Sequence, residues 1–221
     1  KSQHISNYIL GAHLFSQAAG IYQVLSGLQN DFFNNNYPHL AFVGYPFVFL
    51  WGPTFYFYVK SITFKDFRLK PIHILDILPF VALLLFFSFT FYFYSGVTKK
   101  LILNDSSYLF FSHHVLIDSL LRLQILYYVI KSYQILFTVQ KSIKDNYSST
   151  SELHLSWLTF VIVGYSACYL ISIAFIYTEF YLKDFNRWLF LGNFFQFFIF
   201  FTIIFFKGWN HPEIFKRIPE K

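Results

Sequence analysis

Long uncharged runs separated by short polar breaks set the pattern of this chain. A helix needs roughly 20 mostly apolar residues at about 1.5 Å rise to cross a bilayer. Six stretches approach that length: residues 8–28, 40–59, 72–94, 109–139, 155–177 and 188–206. The pattern predicts an all-α, polytopic transmembrane helix bundle, with residues 1–221 forming one membrane domain. The first stretch is the most polar, carrying His13, Ser16, Gln17 and Gln23. It also places Ala12, Ser16 and Gly20 at four-residue spacing. Small residues on one helical face let two helices approach closely in lipid. This span is therefore expected inside the bundle, with His13, Gln17 and Gln23 bonding to neighbouring helices.

Breaker residues refine the spans. Gly52-Pro53 falls inside the second and predicts a kink, since neighbouring helices can satisfy the groups that proline frees. Pro79 lies in the first turns of the third. The fourth exceeds one bilayer crossing, so it should tilt or protrude. The sixth contains Phe194-Phe195-Gln196-Phe197-Phe198-Ile199-Phe200-Phe201, apolar nearly all round, as suits a lipid-facing helix. Gly208 is expected to stop the last helix, and residues 207–221 read as the start of a linker. The connections leave no room for an inserted soluble domain.

Composition supports a membrane setting. Only 13% of residues are charged and 56% are apolar, against about 25% charged in soluble domains. The 33 Phe exceed what interface anchoring by aromatics requires, and fit a coding bias toward Phe, Tyr, Ile, Asn and Lys. The net charge of +6 arises in the loops. Lys1, Lys60, Lys65, Arg68, Lys70, Lys141, Lys144, Lys207, Lys216, Arg217 and Lys221 fall on one side of a six-span scheme. Lys99, Lys100, Lys183 and Arg187 fall on the other. Eleven against four, by the positive-inside rule, places both ends in the cytoplasm. Cys168 is the only cysteine and can form no internal disulfide. The start at Lys1 and the absence of Met lead us to expect a segment of a longer protein.

The informative polar cluster is in the fourth span: His113, His114, Asp118, Arg122 and Gln124. His114, Asp118 and Arg122 recur every four residues and share a helical face. A charge in hydrocarbon costs about 2.5–3.5 kcal/mol on the insertion scale, so the pair must face protein, a water cavity or an interface. Two readings fit: a ligand or proton site open to the outside, formed by His114, Asp118, Arg122 and Gln124, or a structural ion pair on a projecting helix. His73 and Asp76, at the start of the third span, read either as a signal-transmitting pair or as a helix-end pair. Nothing marks catalysis: there is no Ser-His-Asp context, no His-Glu-x-x-His spacing and no phosphate loop, and no cofactor or metal is expected.

Four stretches resemble a known family. They are Leu50-Trp51-Gly52-Pro53-Thr54-Phe55-Tyr56-Phe57-Tyr58-Val59-Lys60-Ser61-Ile62-Thr63, then Asp66-Phe67-Arg68-Leu69-Lys70 with His73 and Leu78-Pro79-Phe80. Ser151-Glu152-Leu153-His154-Leu155-Ser156-Trp157-Leu158 and His211-Pro212-Glu213-Ile214-Phe215 follow. Together they are similar to the N-terminal membrane region of AraC-type transcriptional regulators of Bacteroidetes-like bacteria. The resemblance covers nearly all of residues 1–221. It implies a bundle of about seven helices, a linker and an AraC-type helix-turn-helix domain. The first helix would precede Lys1 and the DNA-binding domain would follow Lys221. It further implies a non-enzymatic sensor in the bacterial inner membrane that meets an unknown signal ligand. DNA would be reached only through the missing domain, and the paired sites often used by AraC-type regulators leave a homodimer open. Two other classes stay open. A small transporter or channel needs a polar path across the bilayer. An intramembrane acyl or lipid enzyme needs converging catalytic groups.

Overall fold

The computed structural model describes residues 2–28, 30–64, 66–105, 109–144, 149–182 and 187–210. Side chains are not described at 2–4, 27–31, 106–115, 142–154, 176–191, 193–194 and 208–210. The fold is all-α, with no strand among the described residues. Eight α-helices follow one another there: α1 (Ser2–Leu28), α2 (Asn30–Asn36), α3 (Trp51–Thr63), α4 (Leu78–Phe87), α5 (Gly96–Asn104), α6 (Leu109–Lys144), α7 (Ser149–Leu182) and α8 (Arg187–Asn210). The chain divides into two compact units. The first takes in Gln3–Tyr58 and Arg68–Tyr128, and the second takes in Val59–Phe67 and the chain from Val129 on.

Two stretches of described residues are long and apolar enough to cross a bilayer. Pro71–Tyr92 has a mean hydropathy of 2.3 and Leu155–Phe175 one of 2.0, and the searched part of α8, Phe195–Lys207, is apolar as well. Two of the six expected crossings are thus supported by length and composition among the described residues. Helix α1 is long enough but too polar, through His13, Ser16, Gln17 and Gln23, and the described part of α6 carries Asp118, Arg122, Gln124 and Lys131. The apolar stretch at Pro71–Tyr92 leaves Ile72, Ile74, Leu75, Leu78, Leu85 and Phe89 exposed. Exposed apolar side chains in such number suit a protein or membrane contact.

The second expected span differs from a single kinked helix. Residues 41–45 form turns, a 3-10 helix covers Pro46–Leu50, and α3 then begins at Trp51. Pro53 therefore sits in the first turn of an α-helix, where its missing N–H would have had no intrahelical partner. Gly52 has a separate reason. A Cβ there would lie 2.7 Å from Cδ2 of Tyr128, so only glycine lets the ring in. The turn before α3 contains Phe42, at φ 62°. A left-handed non-glycine residue costs about 1–2 kcal/mol. Phe42 is held there by burial: its ring stacks on Phe87 at 5.0 Å and meets Phe91 edge-on at 5.1 Å. Its carbonyl also accepts from the Tyr92 hydroxyl at 3.0 Å.

In the first unit α1 packs on the 38–58 segment, as its small residues suggested. A Cβ on Gly20 would fall inside the Trp51 ring, and one on Gly44 would strike the Ala19 carbonyl. The third expected span is built from three windings: a 3-10 helix (Pro71–Ile77), α4, and a π-turn (Ser88–Tyr92). The Ser88 and Thr90 hydroxyls bond back to the Leu84 and Phe86 carbonyls, and the Phe93 N–H reaches five residues back to Ser88 O. That winding keeps Phe87 and Phe91 both fully buried.

In the second unit α7 packs against α8. Leu158, Val161, Ile162 and Tyr165 are buried on α7, and Phe197, Phe200, Phe201 and Ile204 on α8. A Cβ on Gly164 would collide with the Phe200 ring. The Phe run of α8 is therefore not lipid-facing all round. Phe195, Phe198 and Ile199 point outward, while Phe197, Phe200 and Phe201 form the packed face.

Candidate functional site

Helix α6 carries all four expected site residues, and the first unit takes in three of them with described side chains. Its inward face follows helical spacing: Leu121, Ile125 and Tyr128 are buried. Arg122 lies at one edge of that face. Its Nε and Nη2 both donate to Oδ2 of Asp118 at 2.8 Å. The pair is partly exposed, 25% for Arg122 and 36% for Asp118, so it contributes at most about 1 kcal/mol to stability. Tyr45, from the turn before α3, lies within electrostatic range of both charges. A carboxylate already taken by a guanidinium is a poor general base.

Gln124 is not part of that pair. Two residues beyond Arg122, it projects from a different face of α6. Its Oε1 is buried and has no hydrogen-bond donor among the described residues. A buried acceptor without a donor costs about 1–3 kcal/mol, and a water or a ligand N–H or O–H would remove that cost. The side chains of His113 and His114 lie outside the described residues. Helical register alone puts His114 one turn before Asp118.

His73 and Asp76 do not pair with each other. Nδ1 of His73 accepts the Lys70 N–H at 3.1 Å, and its ring meets Phe57 at 4.8 Å. Asp76 Oδ1 instead accepts from the Tyr128 hydroxyl at 2.6 Å, tying the 3-10 helix to α6. The Tyr128 ring also lies 5.8 Å from Tyr56. Sequence reading missed the roles of Tyr45 and Tyr128 because tyrosine in an aromatic-rich span carries no periodic signal. The usable hint was Asp76, a lone carboxylate in an apolar stretch that needed a donor.

A second polar hub joins α1 to α3. His13 is 1% exposed, and its Nδ1 lies 2.8 Å from Thr54 Oγ1. Nε2 lies 3.4 Å from Gln17 Nε2, and Ser16 Oγ donates to the His13 carbonyl at 2.7 Å. Trp51 Nε1 donates to Ser16 O at 3.0 Å, and the Gly44 N–H donates to Gln23 Oε1 at 3.3 Å. His13 and Gln23 thus reach other segments, while Gln17 bonds within its own helix.

No group of three or more His, Cys, Asp or Glu among the described residues could hold a metal ion. Cys168 is a buried free thiol. Comparison with protein-family models, with curated proteins and with solved structures finds no match for this chain.

Proposed function

We propose that this chain is the membrane-embedded, signal-sensing region of a one-component AraC-type transcription regulator. It would pass an external or intramembrane signal to a cytoplasmic DNA-binding domain. The single observation that carries the reading is the construction of α6. One unbroken helix holds a partly exposed ion pair at Asp118–Arg122, a buried unpaired amide oxygen at Gln124 and a tie to Asp76 through Tyr128. It then runs on to the basic residues Lys141 and Lys144. A ligand that favours one arrangement of these contacts shifts the population of α6 positions by its differential affinity. The resemblance of the Gly52-Pro53 block and its three companion stretches supplies the regulator class. The distribution of Lys and Arg supports six crossings, both ends in the cytoplasm and residence in the bacterial inner membrane. Paired DNA sites would call for a homodimer.

Reading the coding frame beyond Lys221 tests the class. An AraC-type helix-turn-helix supports it; an immediate stop or a catalytic domain sinks it. For the site, Asp118→Ala and Arg122→Ala in the full-length regulator are expected to change reporter transcription at unchanged membrane levels. Unaltered transcription in both would remove the site from the proposal.

A further inference from the structure

We propose that the contact between His39 and Lys99 is a proton-sensitive latch, which fastens α5 to the 3-10 turn Pro38–Leu40 and opens when the imidazole gains a second proton. Lys99 is only 4% exposed. Its Nζ lies 3.0 Å from His39 Nδ1 and 5.6 Å from the centre of the Phe91 ring. A lysine ammonium has three N–H donors and no acceptor. Nδ1 must therefore present its lone pair, which leaves the ring neutral with its proton on Nε2. A proton added at Nδ1 removes the acceptor and sets two positive charges a hydrogen-bond length apart.

Among the described residues little softens that repulsion. His39 lies against the start of α5, where a Cβ on Gly96 would be 3.2 Å from Nε2, and a helix start carries partial positive charge. The titratable groups on the elements around the turn are few. Helix α5 brings Lys99 and Lys100, with Asp105 just after it. Helix α2 brings Asp31, whose side chain lies outside the described residues. Tyr37 and Tyr94 flank the turn and α5, and Tyr22 of α1 donates to the Leu40 carbonyl at 3.2 Å. Among the described residues no carboxylate pairs with His39 or Lys99. His39 itself is exposed, so protons reach it from solvent. The Tyr22 bond ties the same turn to α1, so opening the latch is felt there. The latch chemistry is independent of the regulator reading; only the compartment it samples rests on the topology proposed above.

Spin labels at Leu40→Cys and Val97→Cys, in a Cys168→Ala background of the chain in lipid nanodiscs, read the latch as a distance. Measurements at about pH 8 and about pH 5.5 span the range in which an ordinary imidazole changes charge. The released, long-distance fraction is expected to rise about tenfold at the lower pH, as loss of one charge-assisted hydrogen bond implies. His39→Gln keeps an acceptor for Lys99 but takes no proton, so its distance should not respond. Lys99→Gln removes the like charge and should also lose the response. A distance indifferent to pH with His39 in place, or an equal response in His39→Gln, overturns the latch.

Discussion

The α1–α3 contact and the α7–α8 contact answer the same problem with different chemistry. Both bring two helices together where apolar burial alone gives little preference for one partner over another. Between α1 and α3 the solution is polar. His13 meets Thr54, Trp51 bonds to the Ser16 carbonyl, and Gln23 holds the Gly44 amide, all made reachable by Gly20 and Gly44. Between α7 and α8 the described contact is mainly aromatic. Phe200 fills the notch over Gly164, Tyr165 packs on Phe197 and Phe201, and Gln196 Nε2 donates to the Cys168 carbonyl at 3.2 Å. A polar seam fixes one register, since each bond has one partner at one height. A ring-on-glycine seam fixes closeness and tolerates small rotations, because an aromatic face has no single donor to satisfy.

Substitutions can break or sharpen this contrast. The largest effect is expected at Gly44→Ala, where the new methyl meets the backbone carbonyl of Ala19, which cannot rotate away. Overpacking against backbone should cost about 3 kcal/mol, read as a lower denaturant midpoint in detergent micelles. Next is His13→Leu, which keeps the volume but removes the bonds to Thr54 and Gln17, at about 1–2 kcal/mol. Gly164→Ala meets a side chain instead of backbone, so Phe200 can swing. A cost of about 1 kcal/mol is expected, together with a shift in ring contacts visible by NMR of labelled Phe. Last is Gln196→Leu, at about 0.6 kcal/mol, the average for a hydrogen bond between membrane helices. If Gln196→Leu proved costlier than His13→Leu, the distinction between a polar and an aromatic seam would be lost.

Much of this was legible in the chain itself. Of the Ala12, Ser16, Gly20 spacing, Ser16 and Gly20 announced a close contact, where Trp51 enters, while Ala12 is exposed. Asp118 and Arg122 announced their pairing, since a four-residue spacing on a helix leaves them nowhere else to go. Gln124 was grouped with them on proximity in sequence, and helical geometry separates it. His73 and Asp76 were grouped for the same reason, yet each takes a different partner, Lys70 for one and Tyr128 for the other.

What sequence alone determined was therefore local and periodic: helical character, the apolar stretches, the small-residue face and the i,i+4 ion pair. These follow from spacing along a single helix. Tertiary structure decided what spacing does not encode. It broke the second span into turns, a 3-10 helix and α3, held Phe42 in a left-handed conformation by stacking it on Phe87, and brought Lys99 to His39 across sixty residues of chain. Each of these depends on which surfaces meet, and partners far apart in sequence leave no periodic trace in either segment.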